Sequence, residues 1–289
     1  MSKHHHHHDT EPDWEALGAH LEREAGLHAS YHDQAARWLH DLTDGKATRI
    51  LDVGSGPGVF ACRLAGHFPH ADVVAVDQGH GLLDRARRRA AEHGLADRLT
   101  TLQADLPEQF DTLGTADLIW TSNVVHHLGD QQAALNGLAA RLRPGGVLAV
   151  AERGLPFRFL PRDIGQGRPG LQARIDAALE DWFTAMRDQT PDTAQAHEDW
   201  PAMLTEAGLT PTGTRTFLTD LPAPLPPAAR EHLHAHVTRL HEVLADRLDP
   251  ADHAVLGDLL DGDSRTSILT RPDAFYLSAN TVHTARTPS

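Results

Sequence analysis

The sequence predicts an α/β protein, a doubly wound parallel sheet with helices added before and after it. Two observations carry this. Between Ile50 and Ala151, short apolar runs alternate with amphipathic segments, the rhythm of strands separated by helices. The first run, Ile50-Leu51-Asp52-Val53, leads directly into Gly54-Ser55-Gly56-Pro57-Gly58, and then Phe60, Ala61, Leu64 and Ala65 recur at one-turn spacing. Strand, glycine corner and helix, in that order, make the place where an open parallel sheet binds nucleotide-like ligands.

Taken in order, residues 1–10 contain the unbroken run His4 to His8, which reads as a tag or a disordered tail and is set aside. Residues 11–46 form a helical cap: Trp14, Leu17, Leu21, Ala35, Trp38, Leu39 and Leu42 fall near helical spacing, and Asp44-Gly45 stops it. Residues 47–152 are the ligand-binding core. After the glycine corner, Val73-Val74-Ala75-Val76 is a strand ending in Asp77, followed by a helix over 81–93. A third strand over 99–104 ends in Asp105, a fourth spans 116–121, and a helix covers 131–142. Pro144-Gly145-Gly146 then turns the chain into a fifth strand over 147–151.

Residues 153–289 break the rhythm and are read as lid segments plus the last two strands. Arginine, proline and glycine predict an irregular loop over 157–170, and a helix over 171–186 puts Ile175, Leu179, Trp182, Phe183 and Met186 on one side. A helix over 199–207 precedes a sixth strand over 212–220, and the prolines at 222, 224, 226 and 227 stiffen its exit. A long helix over 228–248 carries the stripe Leu233, Val237, Leu240, Leu244, Leu248, whose cover is either its own domain or a second copy in a homodimer. Residues 275–284 are the last strand. Helical spacing scatters His232, His234, His236 and His241 around the cylinder, so no metal site is expected there.

Acidic side chains outnumber basic ones, 40 to 26, for a formal charge of −14, which opposes sequence-independent attraction to nucleic acid or anionic membranes. Arg85, Arg87, Arg88 and Arg89 look like a basic patch but read as the solvated face of their helix. One cysteine, Cys62, allows no internal disulfide and suits a reducing, cytoplasmic setting; it reads as a small buried hydrophobe. No apolar run reaches membrane-spanning length, and no secretory signal core is present at the start.

The dinucleotide fingerprint needs glycines at relative positions one, three and six, and the sixth position here is Val59. The pattern is Gly-x-Gly-x-Gly with Asp52 two residues before it. A carboxylate there repels a pyrophosphate and suits a ligand with adenosine at one end and a cationic amino acid at the other. Asp77, 23 residues after Gly54, stands where an acid accepts both ribose hydroxyls. Leu51-Asp52-Val53-Gly54-Ser55-Gly56-Pro57-Gly58 resembles the first motif of the class I S-adenosylmethionine-dependent methyltransferases, and the likeness extends from Ile50 to Glu152. It implies a Rossmann-like sheet of seven strands with the last antiparallel, and S-adenosyl-L-methionine as cofactor. It implies a cofactor site of Asp52, Gly54, Ser55, Gly56, Gly58, Asp77 and Gln78, with Asp105 and the backbone of Leu106 at the adenine and Asn123 at the methionine end.

Methyl transfer from a sulfonium needs an aligned acceptor and a base for a hydroxyl proton, so the candidates stand at the ends of strands four and five: His127 first, then His126 and Glu152. The His-His pair is similar to one in small-molecule methyltransferases; its alternative role is capping or packing. Too few oxygen ligands gather for magnesium, so no metal is expected. Tyr31, Phe157, Trp182, Phe183 and Met186 are candidates to contact an aromatic or polyketide-like acceptor, or else pack the added helices. The expected function is small-molecule methylation in bacterial secondary metabolism, oxygen preferred. Two alternatives stand beside it: a non-methylating use of bound cofactor, such as cyclisation, and a non-catalytic ligand-binding protein.

Overall fold

The apolar runs of the sequence become the buried centre of a seven-stranded sheet with helices on both faces. In the computed structural model, which describes residues 13–189, 193–194 and 197–288, the elements are α1 (Trp14–Leu27), α2 (Ala29–Leu42), β1 (Arg49–Val53), α3 (Val59–His67), β2 (Asp72–Asp77), α4 (His80–Glu92), β3 (Leu99–Gln103), β4 (Ala116–Ser122) and α5 (Gln131–Ala139). There follow β5 (Leu142–Arg158), α6 (Leu171–Asp188), α7 (Trp200–Glu206), β6 (Thr210–Leu221), α8 (Pro227–Val243), α9 (Pro250–Leu260) and β7 (Tyr276–Arg286). The His4–His8 run lies outside the described residues.

The strand order is β3-β2-β1-β4-β5-β7-β6. β1 to β5 pair in parallel, while β7 runs antiparallel between β5 and β6. The order reverses between β1 and β4, so the carboxyl ends of β1, β2 and β4 open onto one crevice.

Alternate residues of the strands face two cores. Ile50, Val73, Leu118, Trp120 and Val147 pack under α2 and α3, where the Phe60 and Trp120 ring centres are 4.3 Å apart. Leu51, Val53, Ile119, Leu148 and Val150 pack under α5 and α7. A third cluster joins α6, α8 and α9 to Phe159 and Tyr276 and forms the lid. The α8 stripe lies inside it: Leu233, Val237, Leu240 and Leu244 are buried within the same chain.

The helical cap read over residues 11–46 is α1 and α2, divided at His28 (φ −88°, ψ 11°). Three expectations are corrected. The fifth strand does not stop near residue 151 but runs to Arg158, held by antiparallel pairing to β7 with register shifts around Leu155, so the irregular loop begins after it. The long helix ends at Val243, and a separate α9 follows, its first turn capped by Asp249, whose carboxylate accepts from the Ala251 N–H at 2.9 Å. Cys62 is half-buried rather than fully enclosed, and burial pushes its thiol up to about 11.

Candidate active site

The glycine corner is built by close approach. Gly54, Gly56 and Gly58 have φ of +73°, +52° and +71°. A Cβ on Gly54 would stand 2.1 Å from Val124 Cγ2, and one on Gly58 would stand 2.6 Å from Ala86 Cβ. The Gly54 and Ser55 N–H groups donate to the Val76 carbonyl at 2.8 and 2.9 Å, pinning the corner to the end of β2.

Two carboxylates flank this corner. Asp77, at the end of β2, accepts from the Gly56 N–H at 2.9 Å and the Gly79 N–H at 2.8 Å. Burial raises its pKa, against those backbone donors. Asp52 is 3% exposed, and its Oδ2 has no hydrogen-bond partner. Burial pushes it up to about 7, the Asp77 charge adds to this, and the backbone of Ala61 acts the other way. A buried carboxylate with an unmet oxygen, beside a second acid and a turn with no side-chain bulk, is a cradle for a donor-rich cation.

Helix α1 closes over the same place. Trp14 lies against Gly79 and Gly81, where Cβ atoms would come within 2.7 and 2.4 Å of its side chain. Across the α1–α4 seam, Glu22 receives Arg85 through two bonds of 2.6 and 3.1 Å and Arg89 at 2.9 Å. Burial pulls the Glu22 carboxyl up, but these guanidinium groups hold it below its usual range. The arginine row is therefore divided: Arg85 and Arg89 clamp α1, while Arg87 and Arg88 are exposed.

The remaining cofactor candidates sit on the rim. Asp105, two residues beyond β3, is exposed, and its N–H donates to Gln109 Oε1 at 2.8 Å. Leu106 is half-buried against the core under α5. Gln78 is exposed, and its carbonyl accepts from Gln103 Nε2 at 3.0 Å. Asn123 holds φ +53°, donates its N–H to the Ala151 carbonyl at 3.0 Å and reaches Ser122 Oγ at 3.4 Å.

One crossover along the sheet, a 3-10 turn over Val125–His127 follows β4. His126 and Glu152 are 8% and 5% exposed, and His126 Nδ1 meets Glu152 Oε2 at 2.6 Å. Glu152 Oε1 is buried without a partner. The His127 ring is exposed and lies 4.0 Å from that of His126. The Phe183 ring presents an edge to His126 at 5.7 Å. Trp182 and Met186, on the same helix, are half-buried. Tyr31 is buried, its hydroxyl among Ser122 and Glu152, and burial pushes its pKa upward.

The candidate acceptor contacts divide. Phe183 borders His126, whereas Phe157 stacks on Tyr276 at 5.0 Å and meets His236 at 4.4 Å in the lid. Sequence reasoning missed Arg187, whose guanidinium donates to the carbonyls of His126, Leu128 and Gly129. Its signal was a charged residue one turn after Phe183 on a face otherwise read as apolar.

A family model described as a methyltransferase domain matches residues 51–148. The trans-aconitate 2-methyltransferase of Methylobacterium radiotolerans is 30% identical over 226 residues, 68% of this chain and 81% of that protein. The chain belongs to the class I S-adenosylmethionine-dependent methyltransferase family. S-adenosyl-L-methionine is the cofactor of these class I methyltransferases, and the glycine cradle with its unmet Asp52 oxygen fits such a cation. The methyltransferase tpcM of Aspergillus fumigatus is 38% identical over 161 residues, 53% of this chain and 45% of its own length. The solved structure of the mitomycin 7-O-methyltransferase MmcR aligns at 20% identity with a TM-score of 0.48, covering 71% of this chain and 57% of that one. The chain spans between 24% and 59% of the length of four curated relatives that it matches. Among the described residues, no helix is long and apolar enough to cross a membrane, and no cluster of three metal-ligating side chains occurs.

Proposed function

We propose that this class I family member transfers a methyl group from S-adenosyl-L-methionine to a hydroxyl of an aromatic small molecule, in bacterial secondary metabolism and in the cytoplasm. The observation that carries the reading is the buried 2.6 Å pair of His126 Nδ1 and Glu152 Oε2, at the carboxyl-terminal side of the sheet towards which β1 carries Asp52. When bound, the cofactor supplies a methyl group already activated on a sulfonium.

The chain's residues do the rest. Asp52 takes the cofactor's ammonium, Asp77 accepts its ribose hydroxyls, and Gly54, Ser55, Gly56 and Gly58 let its chain lie on the backbone. Gln78, Asp105, the Leu106 backbone and Asn123 border its two ends. Glu152 holds the proton of His126 on Nδ1, which leaves Nε2 as a base for the acceptor hydroxyl. Geometry favours His126 over His127 here, because His126 has the carboxylate that fixes its tautomer. Tyr31, Trp182, Phe183 and Met186 exclude water and align the acceptor.

The Methylobacterium relative is named for trans-aconitate. In this chain, Arg187, the arginine that touches the His126 segment, is committed to three carbonyls, and the roof beside it is aromatic. Both features favour a neutral aromatic alcohol over a free acid. The test is incubation with methyl-labelled S-adenosyl-L-methionine and parallel panels of phenols and carboxylic acids. Label should enter phenols with one adenosylhomocysteine released per methyl, and His126→Gln should lower kcat about 100-fold or more with adenosylhomocysteine affinity retained. Label confined to the acids, or full turnover by His126→Gln, sinks the reading.

A further inference from the structure

His126 is held from two directions. Its ring is fixed through Nδ1 on Glu152, but a ring can only stay there if its backbone does. That backbone belongs to a three-residue 3-10 turn, Val125–His127, closed by the His127 N–H on the Val124 carbonyl at 2.9 Å and the Leu128 N–H on the Val125 carbonyl at 3.1 Å. A further constraint, on the carbonyl side of His126, comes from α6. Arg187 Nη1 donates to the His126 carbonyl at 2.5 Å and to the Leu128 carbonyl at 3.3 Å, and Nη2 donates to the Gly129 carbonyl at 3.3 Å. One planar fork thus ties down three carbonyls of the segment that presents His126, a task to which guanidinium geometry is suited and an ammonium is not.

The same helix also touches the ring. Phe183, one turn before Arg187, lies edge-on to His126 at 5.7 Å, and Trp182 and Met186 stand beside it on α6. The geometry points to Arg187 as a positioning residue, which clamps the His126 backbone so that Nδ1 stays on Glu152 and Nε2 stays aimed at the acceptor. This rests on His126 as the base in the function proposed above. Helix α6 is then both the acceptor's roof and the clamp of its base, so an acceptor that seats well against Phe183 also steadies His126.

The test reads the hydrogen bond directly and needs no acceptor. In the complex with adenosylhomocysteine, the Nδ1 proton shared with Glu152 should give a far-downfield proton resonance that His126→Gln removes. Arg187→Met, which keeps the aliphatic stem and loses every side-chain donor, should lose that resonance while still binding adenosylhomocysteine by calorimetry. Arg187→Lys, able to reach fewer of the carbonyls, should retain it in broadened form. A resonance as sharp in Arg187→Met as in the wild type overturns the positioning role and leaves the base intact. Should Arg187→Met fail to bind adenosylhomocysteine, Arg187→Lys decides, and an unbroadened resonance there overturns the proposal. A resonance that survives His126→Gln means that the His126–Glu152 bond is not formed in solution, and the base assignment falls with the clamp.

Discussion

At the scale of single residues, the role proposed for Asp52 sets function against stability. A carboxyl near 7 in the folded protein, against about 4 in the unfolded chain, means that the folded state holds a proton the unfolded state has released. Its contribution to stability therefore falls as pH rises from about 4 through 7 and is level above. Asp52→Asn removes the buried charge and should raise the melting temperature at pH 8, by a stabilisation of about 4 kcal/mol, against about 1 kcal/mol at pH 5. The same substitution should weaken adenosylhomocysteine binding tens-fold or more, about what a lost charge-assisted hydrogen bond is worth. In the wild type, calorimetry should show affinity dropping about 10-fold between pH 8 and pH 5.5 as Asp52 takes up its proton. Equal affinity at both values would place the ammonium elsewhere.

At the scale of elements, the glycine corner depends on helices that the strand pattern does not include. Asp13 starts α1 by accepting from the Ala16 N–H at 3.0 Å, and the Glu22 fork to Arg85 and Arg89 seats the helix on α4. The side chains of Glu22 and Arg85 are 25% and 14% exposed, so this pair is shielded more than a surface ion pair. Glu22→Gln should cost about 1 kcal/mol, and most of it should appear as opening of α1 rather than global unfolding. Limited proteolysis should cut α1 several-fold faster in this variant, and added salt should narrow the difference. Uniform protection would mean that Trp14 against Gly79 and Gly81 holds α1 without the ion pairs.

At the scale of the whole molecule, what could be read in advance follows from where the information lies. The sheet from β1 to β4 was legible because β1 and β2 are largely apolar runs that stop at a glycine or an acid, and β4 carries the apolar core Leu118-Ile119-Trp120, a pattern set by local chemistry. Asp52 and Asp77 were legible for the same reason. The outer half of β5, Gly154 to Arg158, was not: its residues are exposed or half-buried, and they are strand only through pairing with β7, more than a hundred residues away. Helix α9 did announce itself through Asp249-Pro250, a capping signal overlooked beside the longer stripe of α8. Arg187 could be noticed as a charge on an apolar face, but neither its partners nor those of Glu22 could be named, since the completed fold alone brings them close. The α8 stripe shows the same limit, because a sequence cannot say whether such a stripe meets its own chain or a second copy. Here Leu240 is 2% exposed among α6, α9 and Tyr276 residues, so its cover is internal. Leu240→Ala should then cost about 2–5 kcal/mol by leaving a cavity in the lid. The sedimentation mass should be identical to the wild type at every concentration, because no subunit seam is disturbed. A variant whose mass falls on dilution where the wild type's does not would mean that the stripe closes against a second copy instead.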